Sequence, residues 1–216
     1  MKCKKCNNKS VKNGKQSGIQ RYHCKSCKYS FQAEYKYSSY SVEDKRIKVL
    51  LINGCGIRSI SRILEISPTT VITRIKRIAR EIQKPNFIPI GKEYQIDELA
   101  TYLGEKKRRI WITYALQNDN RAIIDFAVGS RSLKVMKPVT ETVVLSQPKQ
   151  IFTDKYINYK TLIPEEMHTT KHRCINYIER MNLTLRIHLK RLNRRTICYS
   201  KSMVMLTACL KIYFWG

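Results

Sequence analysis

Residues 93–103 read Glu-Tyr-Gln-Ile-Asp-Glu-Leu-Ala-Thr-Tyr-Leu. Two more segments rich in Ile, Tyr, Trp, Val and Phe follow, Arg109–Leu116 and Arg121–Val128. Turn-like stretches separate the three: Gly104-Glu105-Lys106-Lys107, then Gln117-Asn118-Asp119-Asn120. Runs of this composition, so punctuated, predict three consecutive strands joined by hairpins. From Ser132 to Leu145 the spacing is helical, with Leu133, Met136, Val139 and Val143 on one stripe and Pro148 beyond the end. Gln150–Thr153 reads as a fourth, short strand running into Asp154. A long helix is expected from Ile175 to Arg195, its apolar stripe formed by Ile178, Met181, Leu185, Leu189 and Leu192. Ser202–Trp215 is apolar, but short and interrupted by Lys211, and reads as a packed terminal helix.

Three antiparallel strands, a helix, another strand and further helices resemble a ribonuclease H-like core, an α/β fold with a mixed sheet flanked by helices. In such a core the first and fourth strands lie side by side. Asp97 on the first and Asp154 at the end of the fourth can then meet, and a helix packed on the sheet can bring Glu179. Taken one at a time, each acid has an ordinary explanation: a strand-end acid paired with Lys, a turn residue, a helix acid paired with Arg186. Taken together they form a candidate metal site, because converging carboxylates repel one another unless divalent cations neutralise them. Mg²⁺ or Mn²⁺ suits such a set, and two ions suit phosphodiester chemistry.

The first 36 residues have a different character. Cys3-x-x-Cys6 and Cys24-x-x-Cys27 stand at metal-ligand spacing, with 17 residues between the pairs and Gly14 and Gly18 in that interval. Four thiolates so spaced suit one closed, tetrahedral, structural zinc per chain, a zinc ribbon. Two disulfides are the alternative chemistry; the absence of a signal peptide argues for a reducing compartment instead. Residues 41–83 read as three helices. Ser41 with Asp44 marks one start, Gly54-Cys55-Gly56 a break, and Ile57 to Leu64 a short second helix. Ser67-Pro68 is the N-cap and first position of a third. Val71, Ile75, Ile78 and Ile82 share a stripe on this third helix, and Thr69, Thr70, Thr73, Arg74 and Arg77 fall largely off it. The pattern is that of a helix-turn-helix, whose last helix would present these side chains to DNA; a plain helical bundle with a basic face is the alternative. Residues 84–92, with Pro85 and Pro89, read as a linker, leaving 93–216 as the core domain. Cys55, Cys174, Cys198 and Cys209 lack ligand spacing and read as buried apolar residues.

Lys and Arg number 42 against 16 Asp and Glu, a net charge of +26. A small protein so charged needs a polyanion, and nucleic acid is the first candidate. Between residues 171 and 195 the acid Glu179 stands among Lys171, Arg173, Arg180, Arg186, Lys190, Arg191, Arg194 and Arg195. That places cations beside the proposed metal site, where a phosphate backbone would lie.

Three stretches resemble the DDE transposases of the insertion sequence one group. The first is Cys3-x-x-Cys6 with Asn13-Gly14-Lys15, Gln20-Arg21-Tyr22-x-Cys24 and Cys27. The second is Asn53-Gly54-Cys55-Gly56-Ile57-Arg58. The third is Ile178-Glu179-Arg180-x-Asn182-Leu183-Thr184-Leu185-Arg186, continuing through Lys190-Arg191-Leu192 to Arg195-Thr196-Ile197-Cys198-Tyr199-Ser200. The resemblance implies a zinc ribbon and helix-turn-helix that recognise terminal inverted repeats, with Arg58 at the turn. It also implies a catalytic domain that cuts double-stranded DNA and joins the freed 3′ ends to a target. Asp97, Asp154 and Glu179 match the group's acidic triad. A homodimer or higher oligomer on DNA is expected, as is a bacterial cytoplasmic, nucleoid-associated location, with no membrane role. Two other readings share the residues: a zinc-ribbon and helix-turn-helix regulator without catalysis, and a degenerate transposase that binds without cutting.

Overall fold

The computed structural model describes residues 1–33, 40–86, 89–170 and 175–216, with the backbone alone for 40–43. The chain divides into two compact units, Met1–Val42 and Glu43–Gly216.

The first unit is a three-stranded antiparallel sheet of β1 (Ser10–Gln16), β2 (Ile19–Cys24) and β3 (Ser30–Gln32). Ser17 and Gly18 link β1 to β2, both at positive φ (50° and 79°), the signature of a twist-matched two-residue hairpin turn. Gly14, also expected at the turn, sits instead where the β1–β2 register shifts, at φ 66°. Cys3, Cys24 and Phe31 are buried together, with Cys6, Tyr22 and Cys27 packed against them.

The second unit opens within α1 (Tyr40–Ile52) and continues with α2 (Ile57–Ile63) and α3 (Pro68–Glu81). The Ser67 side chain accepts the Thr70 amide at 3.0 Å and Pro68 occupies the first turn, as the sequence predicts. Ser41, the expected cap of α1, lies outside the described side chains. Then come β4 (Glu93–Leu103), β5 (Glu105–Gln117), β6 (Ile123–Gly129), α4 (Leu133–Val144), β7 (Gln150–Phe152), α5 (Ile157–Leu162), β8 (His168–Thr169), α6 (Asn176–His188) and α7 (Met203–Trp215). The five strands form one mixed sheet in the order β6-β5-β4-β7-β8, with β7 parallel to β4 and to β8. The first and fourth strands of the core are therefore neighbours. Tyr94, Ile96 and Ile151 face α4 (Met136, Val139, Val143) on one side; Leu99, Leu103 and Ile112 face α6 and α7 on the other.

Four expectations are corrected. Gly104 (φ 76°) alone turns the first hairpin, so β5 begins at Glu105 and absorbs the expected turn. β8 and α5 carry too few residues to show a period in the sequence. The long helix ends at His188, because Leu189 leaves helical geometry (φ −109°, ψ 96°); Lys190, Arg191 and Leu192 form a separate 3-10 turn. Nor do the elements on either side of the expected linker separate: they fall in one compact unit. α7 is apolar all round because both flanks are covered: Leu206 and Leu210 join the sheet's core, while Met205, Ala208, Cys209 and Ile212 pack with Ile47, Ile60, Val71 and Ile75 of α1–α3. Of the scattered cysteines, Cys209 is buried, Cys55 half-buried and Cys198 exposed; Cys174 lies outside the described residues. Among the described residues no helix is long and apolar enough to cross a membrane.

Candidate functional site

The last β4–β7 pair is Gln95 with Phe152. Asp97 lies two residues beyond it on β4 and Asp154 two beyond it after β7, so both acids emerge where the parallel pairing of the two strands ends. Past Gln95, no described strand pairs the outer edge of β4. Alternation places Asp97 on the α6 face and Glu98 on the α4 face, yet around this free edge both reach the same space. Oxygens of Asp97, Glu98 and Asp154 all come within 4.8 Å of one another.

Their surroundings are built from several elements. Asp97 Oδ2 accepts from Asn182 Nδ2 of α6 at 2.7 Å, and Asn182 Oδ1 in turn accepts from the Tyr114 hydroxyl of β5 at 2.8 Å. The start of α6 is fastened by Gln95, whose Oε1 accepts the Ile178 amide at 2.9 Å, an N–H that the helix itself cannot satisfy. Asp154 Oδ1 accepts the Tyr156 amide at 2.9 Å. Arg131, in the loop between β6 and α4, donates to Glu98 Oε2 (3.1 Å) and Asp154 Oδ2 (3.4 Å). Its guanidinium is held between the rings of Tyr156 (3.6 Å) and Trp111 (4.7 Å). Burial, with the neighbouring Glu98 and Asp154 charges, pushes the Asp97 carboxyl up to about 6. Burial also raises Glu98, against the opposing pull of Arg131. Glu98 Oε1 is buried beside the Tyr159 hydroxyl without a well-formed hydrogen bond. Three acids facing one fixed cation leave an excess of negative charge and an unsatisfied oxygen. That donor set fits a hard divalent cation.

Glu179 is exposed on the first turn of α6 and is not part of this cluster. It stands one helical turn before Asn182, so its own element already touches Asp97. Glu98, Arg131, Asn182 and Tyr114 were not singled out from the sequence. Strand alternation alone would send Glu98 away from Asp97, and Arg131 lies in a loop without periodicity.

In the first unit the four sulfurs of Cys3, Cys6, Cys24 and Cys27 also lie within 4.8 Å of one another. Cys3–Cys27 and Cys6–Cys24 are 3.6 and 3.5 Å apart. A disulfide requires about 2.05 Å, whereas tetrahedral zinc with bonds near 2.3 Å spaces its sulfurs about 3.8 Å apart. The two Cys-x-x-Cys turns repeat one geometry. The residue after each second cysteine is left-handed (Asn7 φ 62°, Lys28 φ 58°), and each first cysteine's amide bonds the carbonyl five residues on. The Lys5 amide donates to Cys3 Sγ at 3.4 Å. Backbone N–H groups of Cys27 and Ser26 favour the Cys24 thiolate, bringing that thiol down to about 6. The cluster therefore fits a metal that binds thiolates.

Comparison with known proteins decides the family. The IS1 transposase family matches residues 93–214. The chain belongs to that family. Over 109 residues it is 29% identical to the insertion element iso-IS1n protein InsB of Shigella dysenteriae and 30% identical to the insertion element IS1 protein InsB of Shigella flexneri. Each match covers 50% of this chain and 83% of the relative. Among solved structures, the HTLV-2 integrase catalytic core domain in complex with magnesium aligns with 58% of this chain and 84% of its own, at 15% identity and TM-score 0.37. As a member of the IS1 family the chain is a DNA transposase of an insertion sequence, an enzyme of nucleotidyl transfer that acts on DNA.

The transposase's basic residues are spread over both faces of their elements. On α2 and α3, Arg58, Thr69 and Thr73 are exposed. Thr70 bonds the capping Ser67 hydroxyl at 2.8 Å. Arg74, expected off the apolar stripe, is buried, and Arg77 pairs with Asp44. After α6, Arg191 is buried and donates to Ser200 Oγ at 2.6 Å, whereas Lys190, Arg194 and Arg195 are exposed and lie beyond the helix that was expected to carry them. Arg186 is half-buried and ties Leu192 O (2.7 Å) and Ala100 O (3.4 Å) to α6.

Proposed function

We propose that this transposase cuts DNA at the terminal inverted repeats of its element and joins the freed 3′ ends to a target. Asp97, Asp154 and Glu179 would hold two Mg²⁺ or Mn²⁺ ions. The convergence of Asp97 with Asp154 where the parallel pairing of β4 and β7 ends carries this reading. Bound there, the cations would supply charge neutralisation and activation of the attacking and leaving oxygens. The protein's own part is to pre-set the ligands. Gln95 fastens α6, Tyr114 orients Asn182, Asn182 holds Asp97 Oδ2, and the Glu98 amide holds Asp97 Oδ1 at 2.7 Å. Glu179 would join them from the exposed first turn of α6, the helix whose Asn182 already touches Asp97. Arg131 neutralises Glu98 and Asp154 so that the acids can stay close before a cation arrives.

Residues 1–33 would bind one structural zinc through Cys3, Cys6, Cys24 and Cys27, forming a zinc ribbon. With α1–α3 as a helix-turn-helix, this half would read the repeats through the exposed Arg58, Thr69 and Thr73, and the exposed Lys190, Arg194 and Arg195 would hold backbone phosphates. Arg74, Arg77 and Arg191 serve packing and pairing in this scheme. Two ends must be handled together, so a homodimer or larger assembly on DNA is proposed. The test is nicking of a duplex that carries the element's end, with Mg²⁺ or Mn²⁺ present. Wild-type protein should cut; Asp97→Ala should bind the same duplex and leave it intact. Wild-type protein that binds without ever nicking would contradict the catalytic reading.

A further inference from the structure

Farther along β4, a cavity of about 320 Å³ opens. Arg109, Arg186 and Arg194 line it, with Tyr102, Leu192 and Asn193 among the other walls. No carboxylate lies among its lining residues, and none of the three guanidiniums has a carboxylate partner among the described residues. Three cations gathered in one recess without a counter-charge repel one another, and that cost is relieved by an anion. Arg186 is fixed in place by its bonds to Leu192 O and Ala100 O, which use two of its five N–H donors. Arg109 Cζ lies over the Trp111 ring (4.6 Å), and Arg131, the cation of the acid cluster, lies over the same ring (4.7 Å). One aromatic side chain thus connects the two sites.

We propose that this pocket holds a single phosphodiester group of the DNA strand being processed, and so sets where along that strand the acids act. The proposal rests on the catalytic reading above for its position and on the pocket's own chemistry for its ligand. Thr101, which lines the pocket, follows Asp97 by four residues on one strand. That is about 13 Å at ~3.3 Å per residue. The seated phosphate therefore lies a few nucleotides from the reacting bond.

The experiment uses the full chain, a duplex carrying the element's own end, and uncharged methylphosphonate linkages introduced one position at a time. Binding is read by fluorescence anisotropy, so the result does not depend on cleavage. In wild-type protein a single linkage, a few positions from the terminal 3′ end, should weaken binding on the order of tenfold more than its neighbours. In the Arg109→Gln/Arg194→Gln protein, where both altered side chains are exposed, this local dip should vanish. The log–log salt dependence should also fall by about one, for the one phosphate no longer neutralised. Arg186 is left intact because it also ties three elements together. A dip that persists in the double variant, or a wild-type profile without one, overturns the proposal. A pocket for free anion predicts that inorganic phosphate shifts the arginine N–H resonances while the DNA profile stays flat, and that outcome also overturns it. Failure of the catalytic reading would show separately, as a positional dip in a protein that never nicks.

Discussion

The chain gathers metal-binding side chains twice, and by opposite means. In the first unit, two local Cys-x-x-Cys turns supply all four ligands, each turn presetting its own pair through the same backbone geometry. In the second, acids 57 residues apart in sequence (97 and 154) meet only because the sheet places β4 beside β7. The cysteine cluster rests on a core of three buried residues. The acid cluster rests on two full cores and carries its own cation, Arg131. On the proposed reading the first site would need its metal in order to fold, whereas the second would fold first and then receive metal.

The largest expected effect breaks that contrast most directly. Binding energy at structural zinc sites is folding energy, about 10–16 kcal/mol in small modules. A strong chelator, or Cys3→Ser with Cys6→Ser, should abolish amide-exchange protection across residues 1–33 and release one zinc per chain. Protection in β4 and β5 should be unchanged. Loss of protection in both units would mean that the cysteine site supports the whole molecule.

Next comes Arg131. Its removal leaves Glu98, fully buried at the side chain, without its counter-ion. Arg131→Gln should cost about 3 kcal/mol in metal-free buffer. Because a divalent cation supplies the missing charge, added Mg²⁺ should raise the melting temperature more in Arg131→Gln than in wild type. Equal Mg²⁺ responses would remove Arg131 from the account of the acid site.

Asp97 gives a smaller effect of opposite sign. Its folded-state value is raised to about 6 by burial and by neighbouring acids. Between the ordinary aspartate value and about 6 the folded protein keeps a proton that the unfolded chain has released, so stability falls as pH rises through that window. Asp97→Asn, which can still accept from Asn182, should stabilise the metal-free protein at pH 7 by about 2 kcal/mol. The gain should disappear near pH 4. Melts at the two pH values check it, and destabilisation at pH 7 would show that Asp97 is not under charge strain.

Much of this was legible in the sequence, for identifiable reasons. The strands at 93–103 and 150–152, the Ser67-Pro68 cap and the cysteine pairs all follow from local composition or spacing, and the structure keeps them. Ser67→Ala should cost only about 1 kcal/mol of thermal stability, the smallest effect proposed here, and should leave both clusters intact. What the sequence concealed depends on tertiary geometry. Glu98 defies strand alternation because the edge of β4 is free there. The expected helix through Arg195 breaks at Leu189, where buried Leu192 and Arg191 turn back toward the core. Arg74 looked outward on a three-helix view, and is buried in a unit whose core also includes α7.

The central claim is that Asp97 and Asp154 share a divalent cation. Anomalous diffraction from crystals grown with Mn²⁺ tests it most directly. The account predicts manganese density between those two carboxylates, with Glu179 turned toward it and Arg131 moved off Asp154. Carboxylates without manganese, in protein that still nicks its DNA, would contradict it.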